Sequence, residues 1–139
     1  MDNLIALLKS HEGFSSYAYP DSLGYWSIGY GKCIDKRIKC GISIKEAEYL
    51  LMNEIERSQI ELSHYDWFNE MDKVRKEVLI ELHFNIGLTK LLKFENMIDS
   101  LKKRRYGDAA AHMLDSQWRQ QVGDKRSGNM ASRLATGKY

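Results

Sequence analysis

The hydrophobic positions change period twice along the chain. Residues 2–11 carry Leu4, Ile5, Leu7 and Leu8 at helical spacing, which puts them on one face of a short amphipathic helix. Gly13 suits the position just past a helix end, so the helix is expected to stop near Glu12. From residue 14 to 31 the period falls to two. Tyr17 and Tyr19 alternate with Ser16 and Ala18, and Pro20-Asp21 followed by Gly24 reads as a turn. Trp26, Ile28 and Tyr30 then alternate with Tyr25, Ser27 and Gly29. This predicts a β-hairpin with Trp26, Ile28 and Tyr30 on its buried face and Ser27 pointing away from it. Residues 32–42 are expected to add a short third strand or a loop.

Helical spacing then returns. Ser43-Ile44-Lys45-Glu46 is a capping box, and it opens a helix carrying Ala47, Leu50, Leu51, Ile55 and Leu62, long enough to link two lobes. Asp72 can cap the next helix, which is expected to end at Gly87. Its Val74, Val78, Leu79, Ile80, Leu82, Phe84 and Ile86 cover most of its circumference, which belongs at the centre of a core. Shorter helices are expected around Phe94 to Leu101, from Ala109 to Trp118 after Asp108, and around Met130 and Leu134 before Gly137. The fold class is therefore α+β, in one domain over residues 1–139. Residues 13–45 form a small hairpin lobe, residues 1–12 and 65–139 a larger helical lobe, and residues 46–64 the linking helix.

Composition adds boundaries. With 139 residues, 43% hydrophobic, and a single proline, the chain can build a core and has no linker to an appended domain. No apolar run approaches the roughly 18 residues of a membrane helix, so no stable membrane insertion is expected. The N-terminal residues lack a basic region before their apolar ones, so no secretion signal is read there. A cytoplasmic product is expected, held there until something else releases it. The net charge of +2 names no partner, but its distribution is uneven. Residues 1–100 carry 12 Lys/Arg and 16 Asp/Glu, whereas residues 101–139 carry 9 and 3. The basic C-terminal part suits a polyanion such as bacterial wall polymer or nucleic acid, or is simply a solvated helix face. Cys33 and Cys40, the only cysteines, are expected as free thiols in a reducing compartment, with a bridge open to them in an oxidising one.

The chemistry concentrates between Glu12 and Gly31. Breaking a glycosidic bond needs a proton for the leaving oxygen and a nucleophile or activated water on the other face of the sugar. Glu12 sits at the negative end of the first helix, and packing beside Leu8 and Phe14 would also favour its protonated form, as a general acid requires. Asp21, in a solvated turn rich in amide donors, is suited to stay ionised and to hold a water. Ser27 offers a hydroxyl across the hairpin for the same water. From the residues alone, a plain helix-end glutamate, turn aspartate and strand serine remain the competing reading.

Several ordered motifs here resemble the phage-type lysozymes, the endolysin muramidases. Glu12-Gly13, Tyr19-x-Asp21-x-x-Gly24 and Ser27-Ile28-Gly29-Tyr30-Gly31 follow that family's active-site segment in order and spacing. Ile42 to Leu51 resembles the start of its interlobe helix, Phe84-Asn85-x-Gly87 the end of its buried helix, and Trp118 with Arg126 to Gly137 its last helices. The resemblance implies a lysozyme-like fold and hydrolysis of the β-1,4 bond between N-acetylmuramic acid and N-acetylglucosamine in peptidoglycan. It assigns Glu12 as general acid, Asp21 as the carboxylate that works with water and Ser27 as its hydroxyl partner. It implies inversion at the anomeric carbon, which needs carboxyl groups ~6.5–9.5 Å apart. No cofactor and no metal are expected, and the partner is a peptidoglycan glycan strand met by a monomer. A phage or prophage endolysin would depend on a holin-type pore to reach the wall. Phe84, Asn85 and Gly31 are candidate substrate contacts. Two positions depart from the family pattern. Ser27 stands where threonine is usual, losing the methyl that restricts the rotamer. Lys32 stands where histidine is frequent, removing a histidine ion pair.

Other chemistries find little support. Gly24-x-x-x-x-Gly29 is followed by Tyr30 and not by a phosphate-binding lysine. His11, His64, His83 and His112 form no metal motif, and His83 reads as a hydrogen-bonded core or groove residue. A nucleic-acid-binding domain would leave the Glu12–Gly31 segment unexplained, so no nucleic acid is expected. The alternative that the same fold allows is a non-catalytic peptidoglycan-binding module.

Overall fold

Ser43 and Glu46 close the capping box that the sequence predicts. The Glu46 amide donates to Ser43 Oγ (3.1 Å) and the Ser43 amide to Glu46 Oε2 (2.6 Å). In this computed structural model, which describes residues 1–139, that box starts α2 (Ile44–Leu62). Before it come α1 (Asp2–Glu12), β1 (Ser15–Pro20), β2 (Trp26–Gly29), β3 (Lys32–Cys33) and a 3-10 turn at Lys36–Ile38. After it come α3 (Asp66–Asn69), α4 (Lys73–Leu92), α5 (Glu95–Lys102), α6 (Tyr106–Leu114), α7 (Gln117–Val122) and α8 (Asp124–Thr136). The mainly helical chain with one small antiparallel sheet, in the order β1-β2-β3, has the α+β class expected from the sequence.

Two compact units divide the chain, Met1–Leu50 and Leu51–Tyr139, and the division falls inside α2. The first unit holds α1 and the sheet. Gly13 (φ 71) ends α1 where the sequence places the stop, its amide donating to Lys9 O (3.0 Å). The Leu4, Ile5, Leu7 and Leu8 face of α1 stays about half exposed. The hairpin forms with Tyr19 opposite Ser27 and Pro20 opposite Trp26. Its faces are the reverse of those expected. Ser27 is buried, while Trp26 and Tyr30 are about half exposed. Alternation fixes that Ser27 and Trp26 face oppositely, but not which face is covered.

The second unit carries the core. α4 supplies Val78, Leu79 and Leu82, all fully buried, and Leu62, Met113, Met130 and Leu134 close around them. Truncating one such leucine to alanine would cost about 2–5 kcal/mol. Asp72 caps α4 through its carboxylate and the Arg75 amide (3.2 Å). Gly87 (φ 80, ψ 166) breaks the helical conformation, and the chain resumes helix beyond it, so the expected stop is a kink. Arg75 then ties α4 to the end of α8. Its guanidinium donates to the carbonyls of Leu134 (2.7 Å) and Ala135 (2.8 Å), which otherwise lack helical partners. Glu81 holds the other side of α8 through Arg126 (3.2 Å) and Arg133 (2.5 Å). His83 is buried, with Nδ1 2.8 Å from Ser58 Oγ and Nε2 2.5 Å from Glu61 Oε2.

Candidate active site

Two glycines with left-handed backbone shape the surroundings of Glu12. Gly13 turns the chain out of α1 directly after it, and Gly31 (φ 80) passes beneath its carboxylate. A Cβ on Gly31 would stand 2.8 Å from Glu12 Oε2, closer than atoms in van der Waals contact. Glycine at 31 thus answers both a backbone demand and a space demand. Glu12 itself is exposed. The packing expected beside it is not formed, because Leu8 is 47% and Phe14 68% exposed.

Asp21 organises its own turn. Its amide donates to Tyr25 O (2.7 Å), and the Gly24 amide donates to Asp21 O (3.0 Å). Its Oδ1 accepts from the amides of Leu23 and Tyr25, both at 2.9 Å. Oδ2 takes part in none of these bonds. One carboxylate oxygen is therefore pinned, and the other is left for water or a sugar hydroxyl.

Ser27 lies in the middle of the sheet, opposite Tyr19 in β1 and Cys33 in β3. Although it is only 4% exposed, no side-chain polar atom sealed from solvent lacks a partner. The hydroxyl makes none of the structure's side-chain hydrogen bonds, so it is not sealed from solvent. Strand pairing holds it two residues across from the start of the Asp21 turn.

The surroundings of these groups contain features that the sequence reading missed. Asp35, 3% exposed, accepts from the Trp26 amide (2.9 Å), the Arg37 amide (2.8 Å) and the Arg37 guanidinium (2.6 Å). The Arg37 guanidinium and the Trp26 amide hold this carboxyl well below the usual carboxylate range. An aspartate two residues before an arginine, just after a strand, was the available signal. Lys32 pairs with Glu46 of the capping box at 3.5 Å, so the position lacking histidine still has an ion pair. Cys33 and Cys40 are free. The Cys40 thiol is pushed up, first by its hydrogen bond with Cys33 and then by burial.

Phe84 and Asn85 belong to the second unit. Phe84 is about half exposed and lines a groove of about 380 Å³ with Leu51, Ile55, Ile80 and Tyr139. Asn85 accepts from the buried Trp118 indole N–H at 2.8 Å, a bond no spacing argument would reveal. No group of three or more His, Cys, Asp or Glu side chains is arranged to hold a metal ion.

Residues 9–135 match the phage lysozyme family, a span that includes Glu12, the hairpin and almost all of the helical unit. The chain belongs to the phage lysozyme family. It is 25% identical over 160 residues to a protein named probable T4-type lysozyme 1 from Dictyostelium discoideum, covering 94% of this chain and 92% of that one. It is 26% identical over 167 residues to probable T4-type lysozyme 2 of the same organism, covering 99% and 96%. Family membership makes this a lysozyme-type hydrolase with peptidoglycan as its substrate class.

Proposed function

We propose that the chain is a muramidase that cleaves the β-1,4 bond between N-acetylmuramic acid and N-acetylglucosamine. The observation that carries this reading is the pair of carboxyl groups presented differently by one unit. Glu12 stands at a helix end over the bare backbone of Gly31, and Asp21 is fixed through Oδ1 alone. In this scheme Glu12 protonates the leaving glycosidic oxygen. A bound glycan excludes water around Glu12 and strengthens its contact with the leaving oxygen. Asp21 Oδ2 takes the proton of a water that attacks the anomeric carbon, and Ser27 Oγ orients that water. Gly31 leaves room for the sugar beside Glu12, and Phe84 and Asn85 are proposed to contact the glycan. The proposed setting is a phage or prophage endolysin that reaches the wall through a holin-type pore.

Digestion of purified peptidoglycan tests the chemistry. The wild type should release new reducing-end muramic acid, read by mass spectrometry after borohydride reduction, and Glu12→Gln should not. Equal release by both would remove Glu12 from its role. Pelleting with the polymer without any release would identify a binding module.

A further inference from the structure

Asp35 and Arg37 have no part in the chemistry just described, yet their hydrogen bonds converge on the segment that carries it. Asp35 is fixed first. Its Oδ2 takes the Trp26 amide (2.9 Å), its Oδ1 takes the Arg37 amide (2.8 Å), and it is almost wholly buried. The Arg37 side chain folds back onto both oxygens, Nε to Oδ1 at 3.0 Å and Nη2 to Oδ2 at 2.6 Å. That fork aims Nη2 at the Gly24 carbonyl, which it reaches at 2.7 Å. The guanidinium also lies 5.1 Å from the centre of the Tyr25 ring. Gly24 and Tyr25 are the residues whose backbone closes the Asp21 turn, at 3.0 Å and 2.7 Å.

We propose that Asp35 and Arg37 are a positioning couple for catalysis: Asp35 locks the Arg37 fork, and Arg37 fixes the Gly24 end of the turn that holds Asp21. The inference rests on the muramidase reading for its catalytic meaning. Exposed ion pairs contribute little to stability, and Arg37 is 62% exposed. Its partner, however, is buried and tied to two backbone amides, so the fork has one available geometry. Lysine cannot replace it, because a single ammonium group lacks the planar fork that spans two carboxylate oxygens and a carbonyl. The same couple reaches Ser27 through its neighbour, since the Trp26 amide is anchored on Asp35. Small displacements at a reacting group cost about a hundredfold in rate.

The test is a mutant cycle against Asp21. Arg37→Gln should lower kcat about ten- to hundredfold with KM for soluble peptidoglycan nearly unchanged, and Arg37→Lys should not rescue it. In the Asp21→Asn background the same substitution should change the residual rate less than about twofold, because residues that act through one another are not additive. Arg37→Gln leaves the buried Asp35 charge unpaired. The Asp35→Asn/Arg37→Gln double variant removes charge and fork together and should show the same kinetic pattern in a folded protein. Equal losses in both backgrounds would reduce the couple to a brace for the lobe, and no loss would overturn it outright. Amide exchange supplies an arm independent of turnover. Leu23 and Tyr25, whose amides bond Asp21, should exchange faster in the double variant than in the wild type, while Ile28 stays unchanged. A wild type that releases no reducing ends would defeat the muramidase reading, and the exchange arm alone would then decide whether the couple holds the turn.

Discussion

Oε2 of Glu12 lies where a side chain at Gly31 would have to be, 2.8 Å from the position of its Cβ. The atom in conflict is the end of a flexible side chain, so it can swing aside at little cost. Gly31→Ala should therefore lose activity out of proportion to stability. The backbone at φ 80 adds about 1–2 kcal/mol of strain. Gly29→Ala is the control. Its φ is 68 and nothing lies within 4 Å of its Cβ. Both variants should unfold at similarly lowered denaturant concentrations, and only Gly31→Ala should lose about a hundredfold in kcat. Equal activity in the two variants would show that the position of Glu12 above Gly31 has no catalytic meaning.

The Ser27 hydroxyl has no protein partner among the structure's side-chain hydrogen bonds, so removing it breaks nothing in the fold. Ser27→Ala should leave the urea midpoint within error of the wild type. If Ser27 holds the attacking water, the same variant should lose about tenfold in kcat, the worth of one hydrogen bond. Ser27→Thr keeps the hydroxyl and should keep activity, provided the buried strand accepts the added methyl. A stability loss in Ser27→Ala with unchanged turnover would make this a structural serine.

Local signals in the sequence located most of this architecture. Ser43 to Glu46, Gly13 and Asp72 each satisfy an orphan group at a helix end, and each acts where the spacing puts it. Period-two alternation found the strands and separated Ser27 from Trp26, but burial of one face is decided by what packs on it. Hydrophobicity pointed to Trp26, and the structure buries Ser27. The Glu12 and Asp21 segment was legible because glycines, a proline and a turn punctuate it. The pairs that join distant positions were not legible. Trp118 with Asn85 and Arg75 with the end of α8 depend on tertiary packing, which leaves no periodic trace in one sequence.

The Trp118–Asn85 bond, 2.8 Å long, makes a prediction about the second unit. Asn85→Ala strands a buried indole N–H and should cost about 1–3 kcal/mol, whereas Trp118→Phe removes the donor and leaves an exposed asparagine that water can satisfy. In Asn85→Asp an acceptor remains, so the indole stays paired and stability should be largely kept. Urea unfolding orders these variants. If Asn85 also contacts the glycan, Asn85→Asp should raise KM for peptidoglycan while the fold stays intact. An unchanged KM would confine Asn85 to holding Trp118.

Acid sensitivity should report on Asp35. Its carboxyl is held well below the usual range by Arg37 and the Trp26 amide. The folded state therefore binds fewer protons than the unfolded state once the pH falls into the ordinary carboxylate range, near ~3.9. The stabilisation is fully present above that range and is lost as pH falls through the depressed folded-state value. Other carboxylates titrate over the same interval, so the useful quantity is the difference between wild type and Asp35→Asn. The gap in thermal midpoint should be constant from pH 7 to about pH 5 and should close progressively below about pH 4. Asparagine cannot titrate, so any narrowing of the gap belongs to Asp35 and the groups bonded to it. A gap that stays constant down to pH 2 would mean that protonating Asp35 costs the fold nothing, and that its hydrogen bonds to Arg37 and Trp26 do not depend on charge.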